Sequence, residues 1–188
     1  MQNLLIGINS LGANTLGYIH KTTKLGELKQ VSEMLLLSDA SDRNSVDYPF
    51  AAIGCSRAFN IINTNTTNIK DEDELFNYIQ KAKKIIIFVG VGGVFSNNIF
   101  IELIEKIDRE KLYIVAVSPF SFEGKAKAAL AKHMLQVLTQ AHIGCVLYPN
   151  DDLLDCNNTL GVVALMEQFF DKIVSETFYN QEGKYIGI

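Results

Sequence analysis

The stretch Gly90-Val91-Gly92-Gly93-Val94-Phe95-Ser96-Asn97 follows the unbroken apolar run Ile85-Ile86-Ile87-Phe88-Val89 and leads into the periodic segment 99–107. That order reads as a buried parallel strand, a tight loop and a helix. Backbone amides at such a helix start can hold a phosphate. Gly90-Val91-Gly92 begins the dinucleotide fingerprint, but Phe95 stands where its third glycine belongs. Taken alone, the stretch reads first as a plain strand-to-helix turn. A second glycine-bearing turn, Gly7-Ile8-Asn9-Ser10-Leu11-Gly12-Ala13-Asn14-Thr15, follows the short apolar strand 4–7 and opens a helix to about residue 24. It has the outline of a phosphate-binding loop but is not a Walker A sequence, because Ala13-Asn14 replaces the Lys-Ser/Thr pair that would reach phosphate and magnesium. Glycines that merely allow a close strand-to-helix turn fit this segment equally well.

Further polar groups follow other apolar runs. Ser38-Asp39-Ala40-Ser41-Asp42 closes the run 34–37, where carboxylates meet a ribose or, more commonly, cap a turn. Ser118-Pro119-Phe120-Ser121-Phe122-Glu123-Gly124-Lys125 closes 112–117, and Pro149-Asn150-Asp151-Asp152 closes 143–148. In open α/β sheets the carboxyl edge of the strands is where ligands bind. Loops carrying glycine amides, Asn and Asp would converge there, which suits a nucleotide. Asn150 and Asp171 could pair with amide-like donors and an acceptor on a base such as guanine.

The elements that must position these residues alternate. Strands are expected at 4–7, 34–37, 85–89, 112–117 and 143–148, with a weaker one at 50–53. Helices are expected at 71–83, 99–107, 125–140 and 158–178, besides the first. The tract 60–68 reads as a surface loop, and the acids at 71–74 and lysines at 81, 83 and 84 suit the two ends of a helix dipole. Alternation with right-handed crossovers gives an α/β, three-layer Rossmann-like fold: a mostly parallel sheet with helices on both faces. One domain is expected over 1–180, followed by a short tail over 181–188.

Composition supports a single packed domain: 188 residues at 48% hydrophobic are enough to bury a core. A net charge of -4 without a long basic run excludes a phosphate-backbone grip, so no nucleic-acid partner is expected. The start lacks a signal-peptide pattern and no apolar run is long enough for a membrane span, so a cytoplasmic location is expected. Cys55, Cys145 and Cys156 lack CxxC spacing and read as buried free thiols. His20, His133 and His142 have no partners at metal-ligand spacing, and no serine sits in a Gly-x-Ser-x-Gly elbow. Asp151-Asp152 and Asp39 with Asp42 could accept magnesium, though loop-end carboxylates are usually solvated caps. The residues Met166, Phe169 and Phe170 follow helical spacing and read as core.

Taken together, the loops resemble the GTP-binding domain of the FtsZ and tubulin family, FtsZ above all. Pro119-Phe120-Ser121-Phe122-Glu123-Gly124 resembles the family's Pro-Phe-x-Phe-Glu-Gly, and Pro149-Asn150-Asp151-Asp152-Leu153-Leu154 its Pro-Asn-Asp-x-Leu-Leu. Gly7, Gly12 and Asn14 match parts of the first glycine loop. Gly90, Gly92 and Gly93 match the start of the tubulin signature, and Asp171-Lys172-Ile173-Val174 resembles the central-helix segment that reads guanine. The resemblance implies GTP or GDP as ligand, with magnesium accompanying it. It implies ribose contact by Glu123, base contact by Asn150 and Asp171, and Gly12, Gly92 and Gly93 against phosphates. Lys127 stands where the family has an arginine near the phosphates, keeping the charge without the planar fork.

The departures shape the expected function. After two signature glycines the chain turns to Val94-Phe95-Ser96-Asn97, whose bulk is expected to cover phosphate-facing amides and leave Ser96 and Asn97 as polar substitutes. Glu167 lies where an aromatic packs on the base. The family's catalytic acids lie on a loop after the central helix, ahead of an activation domain, and neither is found in this sequence; no efficient GTP hydrolysis is expected. The implied role is a guanine-nucleotide-binding protein tied to cell division or cytoskeletal filaments. The alternative is a pseudo-GTPase that binds no nucleotide and acts as a structural or regulatory module, with an FtsZ-like filament or another protein as partner. An NAD-linked enzyme is disfavoured by the broken fingerprint and the lack of an acid-base pair.

Overall fold

A computed structural model of the chain describes residues 3–22, 32–39, 57–61, 72–154 and 161–179. Six parallel strands form one sheet: β1 (Asn3–Ile8), β2 (Ser32–Asp39), β3 (Arg57–Ile61), β4 (Lys84–Gly90), β5 (Leu112–Ser118) and β6 (Gly144–Pro149). The helices between and after them are α1 (Asn9–Lys21), α2 (Glu72–Gln80), α3 (Val94–Lys106), α4 (Lys125–Ala141) and α5 (Val162–Phe178). Short 3-10 turns follow β5 at Ser121–Glu123 and β6 at Asn150–Leu153.

The strand order is β3-β2-β1-β4-β5-β6. From β1 the chain winds outward to β2 and β3, then crosses back to β4 and winds the other way. Right-handed crossovers therefore put α1 on one face and α3 and α4 on the other. Side-chain alternation matches. Leu4, Ile6, Ile85, Ile87, Val89 and Ile114 share a buried cluster with Leu75, Phe100 and Met134 of α2, α3 and α4. Leu5, Ile86, Phe88 and Val115 pack with Leu16 of α1 and with Phe170, Ile173 and Phe178 of α5. Both faces of β1 and β4 are covered, which is why these strands read as continuous apolar runs.

Several boundaries differ from the sequence reading. The tract taken as a surface loop contributes Asn60 and Ile61 to β3, paired in register with Ser38 and Asp39 of β2. The expected strand at 50–53, the rest of that tract, Cys55, Cys156, Asp42 and the tail at 181–188 lie outside the described residues. Helix α3 begins directly after Gly93, so Val94 to Asn97 form its first turn instead of a loop. Cys145 is exposed on the edge strand, not buried as expected, although desolvation around its sulfur pushes the thiol up to about 11 and keeps it protonated.

Candidate functional site

The strand order reverses between β1 and β4, and in open α/β sheets the crevice outside such a switch point is where ligands bind. Helix α1 follows β1 without an intervening loop. Its first residue, Asn9, takes a left-handed φ of 53°, a conformation asparagine tolerates better than most side chains. Helix α3 follows β4 through Val91, Gly92 and Gly93. The two helix starts meet where Asn9 Nδ2 donates to Ser96 Oγ at 3.5 Å. Neither N-cap residue, Ile8 or Gly93, caps its helix with a side chain, and neither first turn carries an acid. The first four amides of a helix have no acceptor within it, and together with the macrodipole they favour an anion.

The glycines divide by role. Gly7 and Gly12 face each other: a Cβ on Gly12 would lie 2.4 Å from the Gly7 carbonyl carbon and 3.0 Å from the Phe88 oxygen. They let α1 lie directly on β1 and β4, with the α-carbon of Gly12 against the sheet. Gly92 has φ +100°, and a Cβ there would be 2.8 Å from the Lys127 carbonyl oxygen. Its amide donates to Asn97 Oδ1 at 3.3 Å, while Asn97 Nδ2 donates to the Leu130 carbonyl at 3.0 Å. Asn97 is thus a buried strut between the turn and α4, not a polar substitute in the crevice. Gly93 lies beside Ser96, and Gly90 lies opposite Leu11 of α1.

Phe95 does not cover the turn. It is 8% exposed and joins the core under α3, four residues before Ile99 on the same helical face, whereas Val94 is 56% exposed at the helix start. Of the two bulky side chains expected over the turn, Phe95 is turned into the core and Val94 is the exposed one.

Glu123 and Asn150 lie in the turns that follow the carboxyl ends of β5 and β6. Glu123 Oε1 accepts from the Phe120 amide at 2.8 Å, and Oε2 pairs with Lys127 one turn into α4. The bond to Lys127 is the main cause that holds the Glu123 carboxyl below the usual range; burial opposes it, and the Phe120 amide adds a smaller lowering effect. Next along the rim, the Ser121 amide donates to Asp151 Oδ1 at 3.0 Å, joining the turn after β5 to the turn after β6. Asn150 begins that second turn and is half-buried. Lys172 of α5 pairs with Asp152 at 3.3 Å. Asp171, its neighbour, accepts from the Tyr18 hydroxyl of α1 at 3.0 Å. Burial first, then this bond, pushes the Tyr18 hydroxyl up to about 12. Asn14 stands one turn before Tyr18 on the same stripe of α1.

These contacts run in a ring from α1 through the β4 turn, α4, the turns after β5 and β6, and α5 back to α1. Asp151 and Asp152 are engaged as a cap and an ion-pair partner, and among the described residues no group of three or more His, Cys, Asp or Glu is placed to hold a metal. Sequence reasoning missed the direct meeting of Asn9 with Ser96 and the reach of Tyr18 to Asp171. A groove of about 630 Å³ lies beside the rim, along α4 from Ser118 and Pro119 past Lys132 and Leu135 to Gln140, and takes in none of the candidate nucleotide ligands.

A doubly wound parallel sheet with a glycine turn at its switch point defines an open α/β domain of the nucleotide-binding type. The particular fold is that of the FtsZ/tubulin nucleotide-binding domain. The chain is similar to FtsZ from M. jannaschii, with a TM-score of 0.66 and 18% identity, covering 94% of this chain and 55% of that one. It is similar to CetZ2 from Haloferax volcanii, solved as a GTPγS-bound protofilament, with 0.65 and 14% over 92% of this chain and 57% of that one. CetZ1 from the same organism, solved as a GDP-bound monomer, gives 0.67 and 13% over 95% and 59%. The chain spans rather more than half the length of these structures, and at such identities the likeness is one of fold. No protein-family model matches the sequence, and no curated protein matches it. Among the described residues no helix is long and apolar enough to cross a membrane.

Proposed function

We propose that this chain is a guanine-nucleotide-binding domain of the FtsZ type, which holds GTP or GDP across its carboxyl rim and acts by binding instead of by turnover. The observation that carries the reading is the meeting of two helix starts, α1 and α3, at the strand-order reversal, neither closed by an N-cap side chain nor shielded by a first-turn acid. Phosphates would lie over the starts of α1 and α3, beside Ser96 and the exposed Val94. Magnesium would enter with the phosphates. Glu123 would face the ribose by exchanging Lys127 for a sugar hydroxyl, and Lys127 would then be released toward phosphate. Asn150 and Asp171 would face the base, as the family resemblance implies.

Slow hydrolysis is part of the same reading. The first turns of α1 and α3 carry no carboxylate, so among the described residues none there can orient water on a terminal phosphate. We assign the domain, over 1–180, to a cytoplasmic, filament-related role in cell division or the cytoskeleton.

Isothermal titration with GTP, GDP and ATP tests the binding. Saturable heat with both guanine nucleotides, absent with ATP and lost in Asp171→Ala, is the expected result. No heat at near-millimolar guanine nucleotide would remove the reading. The rival, a nucleotide-free module that docks on a protein, is favoured by one feature: Phe122 is 69% and Leu154 55% exposed on rim turns joined through Ser121 and Asp151.

A further inference from the structure

We propose that Tyr18 is a positioning residue that makes the seam between α1 and α5 selective for guanine, an inference that rests on the nucleotide reading above. The tyrosine hydroxyl donates to Asp171 Oδ1 at 3.0 Å, and its ring lies against Phe170 with centroids 6.2 Å apart. The ring contact fixes where the hydroxyl stands, and the hydroxyl fixes the carboxylate. The terminal torsion of an aspartate is otherwise broad, so an unanchored Asp171 would present its oxygens in many planes.

An ionised carboxylate offers about four acceptor sites on two oxygens. One is taken by Tyr18, and those that remain lie in a set plane at the seam. Glu167 stands one turn before Asp171 on the same stripe of α5, and its charge reaches Tyr18. Asn14 occupies the corresponding position on α1. The seam is therefore rich in acceptors, and a base that matches it must present adjacent donors. Guanine does so with its ring N–H and exocyclic amine. Hypoxanthine lacks the amine, and adenine turns a ring acceptor toward the carboxylate, leaving buried polar groups without partners. The hydroxyl acts through Asp171 without touching the base, so the effect of removing it should fall on selectivity and not on phosphate binding.

The test is competition binding of GDP, inosine diphosphate and ADP against a fluorescent guanine nucleotide. It compares wild type, Tyr18→Phe, Asp171→Asn and the double variant, with thermal unfolding of each. Tyr18→Phe keeps the ring on Phe170, and we expect it to weaken GDP about five- to tenfold and inosine diphosphate, which offers Asp171 only the ring N–H, by about two- to threefold. Asp171→Asn should abolish the preference for GDP over inosine diphosphate, and adding Tyr18→Phe to it should change nothing more. Equal weakening of both nucleotides by Tyr18→Phe would overturn the inference and leave Tyr18 as a tie between helices. So would an unchanged preference in Asp171→Asn, which serves as the decisive variant should Tyr18→Phe not fold. Absence of GDP binding by the wild type would overturn the nucleotide reading and this inference together, whereas wild-type binding with an unmoved preference overturns this inference alone.

Discussion

Substituting alanine for three rim glycines separates what each contributes, because the structure gives them different obstacles. Gly124 has φ +101° and ψ 161° and nothing within 4 Å of a built Cβ, so Gly124→Ala meets only backbone strain. That region is close to glycine-only, and strain of this kind is worth about 1–3 kcal/mol. Gly12 lies inside α1 with an ordinary helical backbone, so Gly12→Ala meets a steric obstacle without backbone strain: Gly7 at 2.4 Å and the Phe88 oxygen at 3.0 Å. Overpacking costs about 1–3 kcal/mol, and the obstacle here is backbone, which cannot rotate away. Alanine regains about 1 kcal/mol of helix preference, leaving a net loss of about 2 kcal/mol at the upper end of that range. Gly92 combines both, with φ +100° and the Lys127 carbonyl 2.8 Å from the built Cβ. The expected loss for Gly92→Ala is thus about 2–6 kcal/mol, the sum of the two ranges. In a chain of this size that lowers the melting temperature by roughly 4–24 °C. Urea unfolding of the three variants against wild type gives the comparison directly. The order Gly92→Ala worst, with the other two each near half of it, is the expected result. A Gly92→Ala variant as stable as Gly124→Ala would refute the close approach of the β4 turn to α4, and with it the placing of the turn at the rim.

Further outcomes follow from the same geometry. Phe95→Ala should lose about 3–5 kcal/mol as a core truncation, measured by urea unfolding, and a loss under about 1 kcal/mol would mean that the ring lies over the turn after all. Asn9→Gly should lose about 1 kcal/mol, because glycine adopts the left-handed φ freely and only the side-chain bond to Ser96 is removed, whereas Asn9→Val should lose about 2 kcal/mol or more in thermal unfolding. The Glu123 carboxyl is held low in the folded state, so its contribution to stability is complete above the ordinary glutamate range and is lost as pH falls through the lowered value. Lys127→Met should return that carboxyl toward the ordinary range in an NMR titration while changing stability by less than about 1 kcal/mol, since the lysine is half-exposed. The Tyr18 hydroxyl is raised to about 12, so its contribution is present below the ordinary tyrosine range and fades as pH climbs toward that value. Asp171→Asn should bring the Tyr18 titration down in an ultraviolet pH scan.

The sheet was legible wherever a strand is buried on both faces. Ile85 to Val89 and Ile114 to Val117 are apolar without interruption because helices cover each side. Strand β3 was not legible: Arg57-Ala58-Phe59-Asn60-Ile61 pairs with β2 alone at the sheet edge and carries no apolar run. The start of α3 is masked in the sequence by the glycines just before it, although Phe95 and Ile99 already share a helical period. At the site, spacing and motif resemblance picked out the segments but not how each side chain is used. That Gly12 faces Gly7, or that Asn97 braces Gly92, depends on how closely two elements approach. The pairing of Tyr18 with Asp171 spans 153 positions and is fixed only when α1 and α5 pack on one face of the sheet.

Amide chemical shifts of the labelled protein, followed as GDP and magnesium are added, test the central claim most directly. The account predicts saturable shifts concentrated at residues 9–12 and 92–96, with a second group around Tyr18 and Asp171, and no response to ADP. Shifts confined to the groove along α4, or none at all, would contradict it.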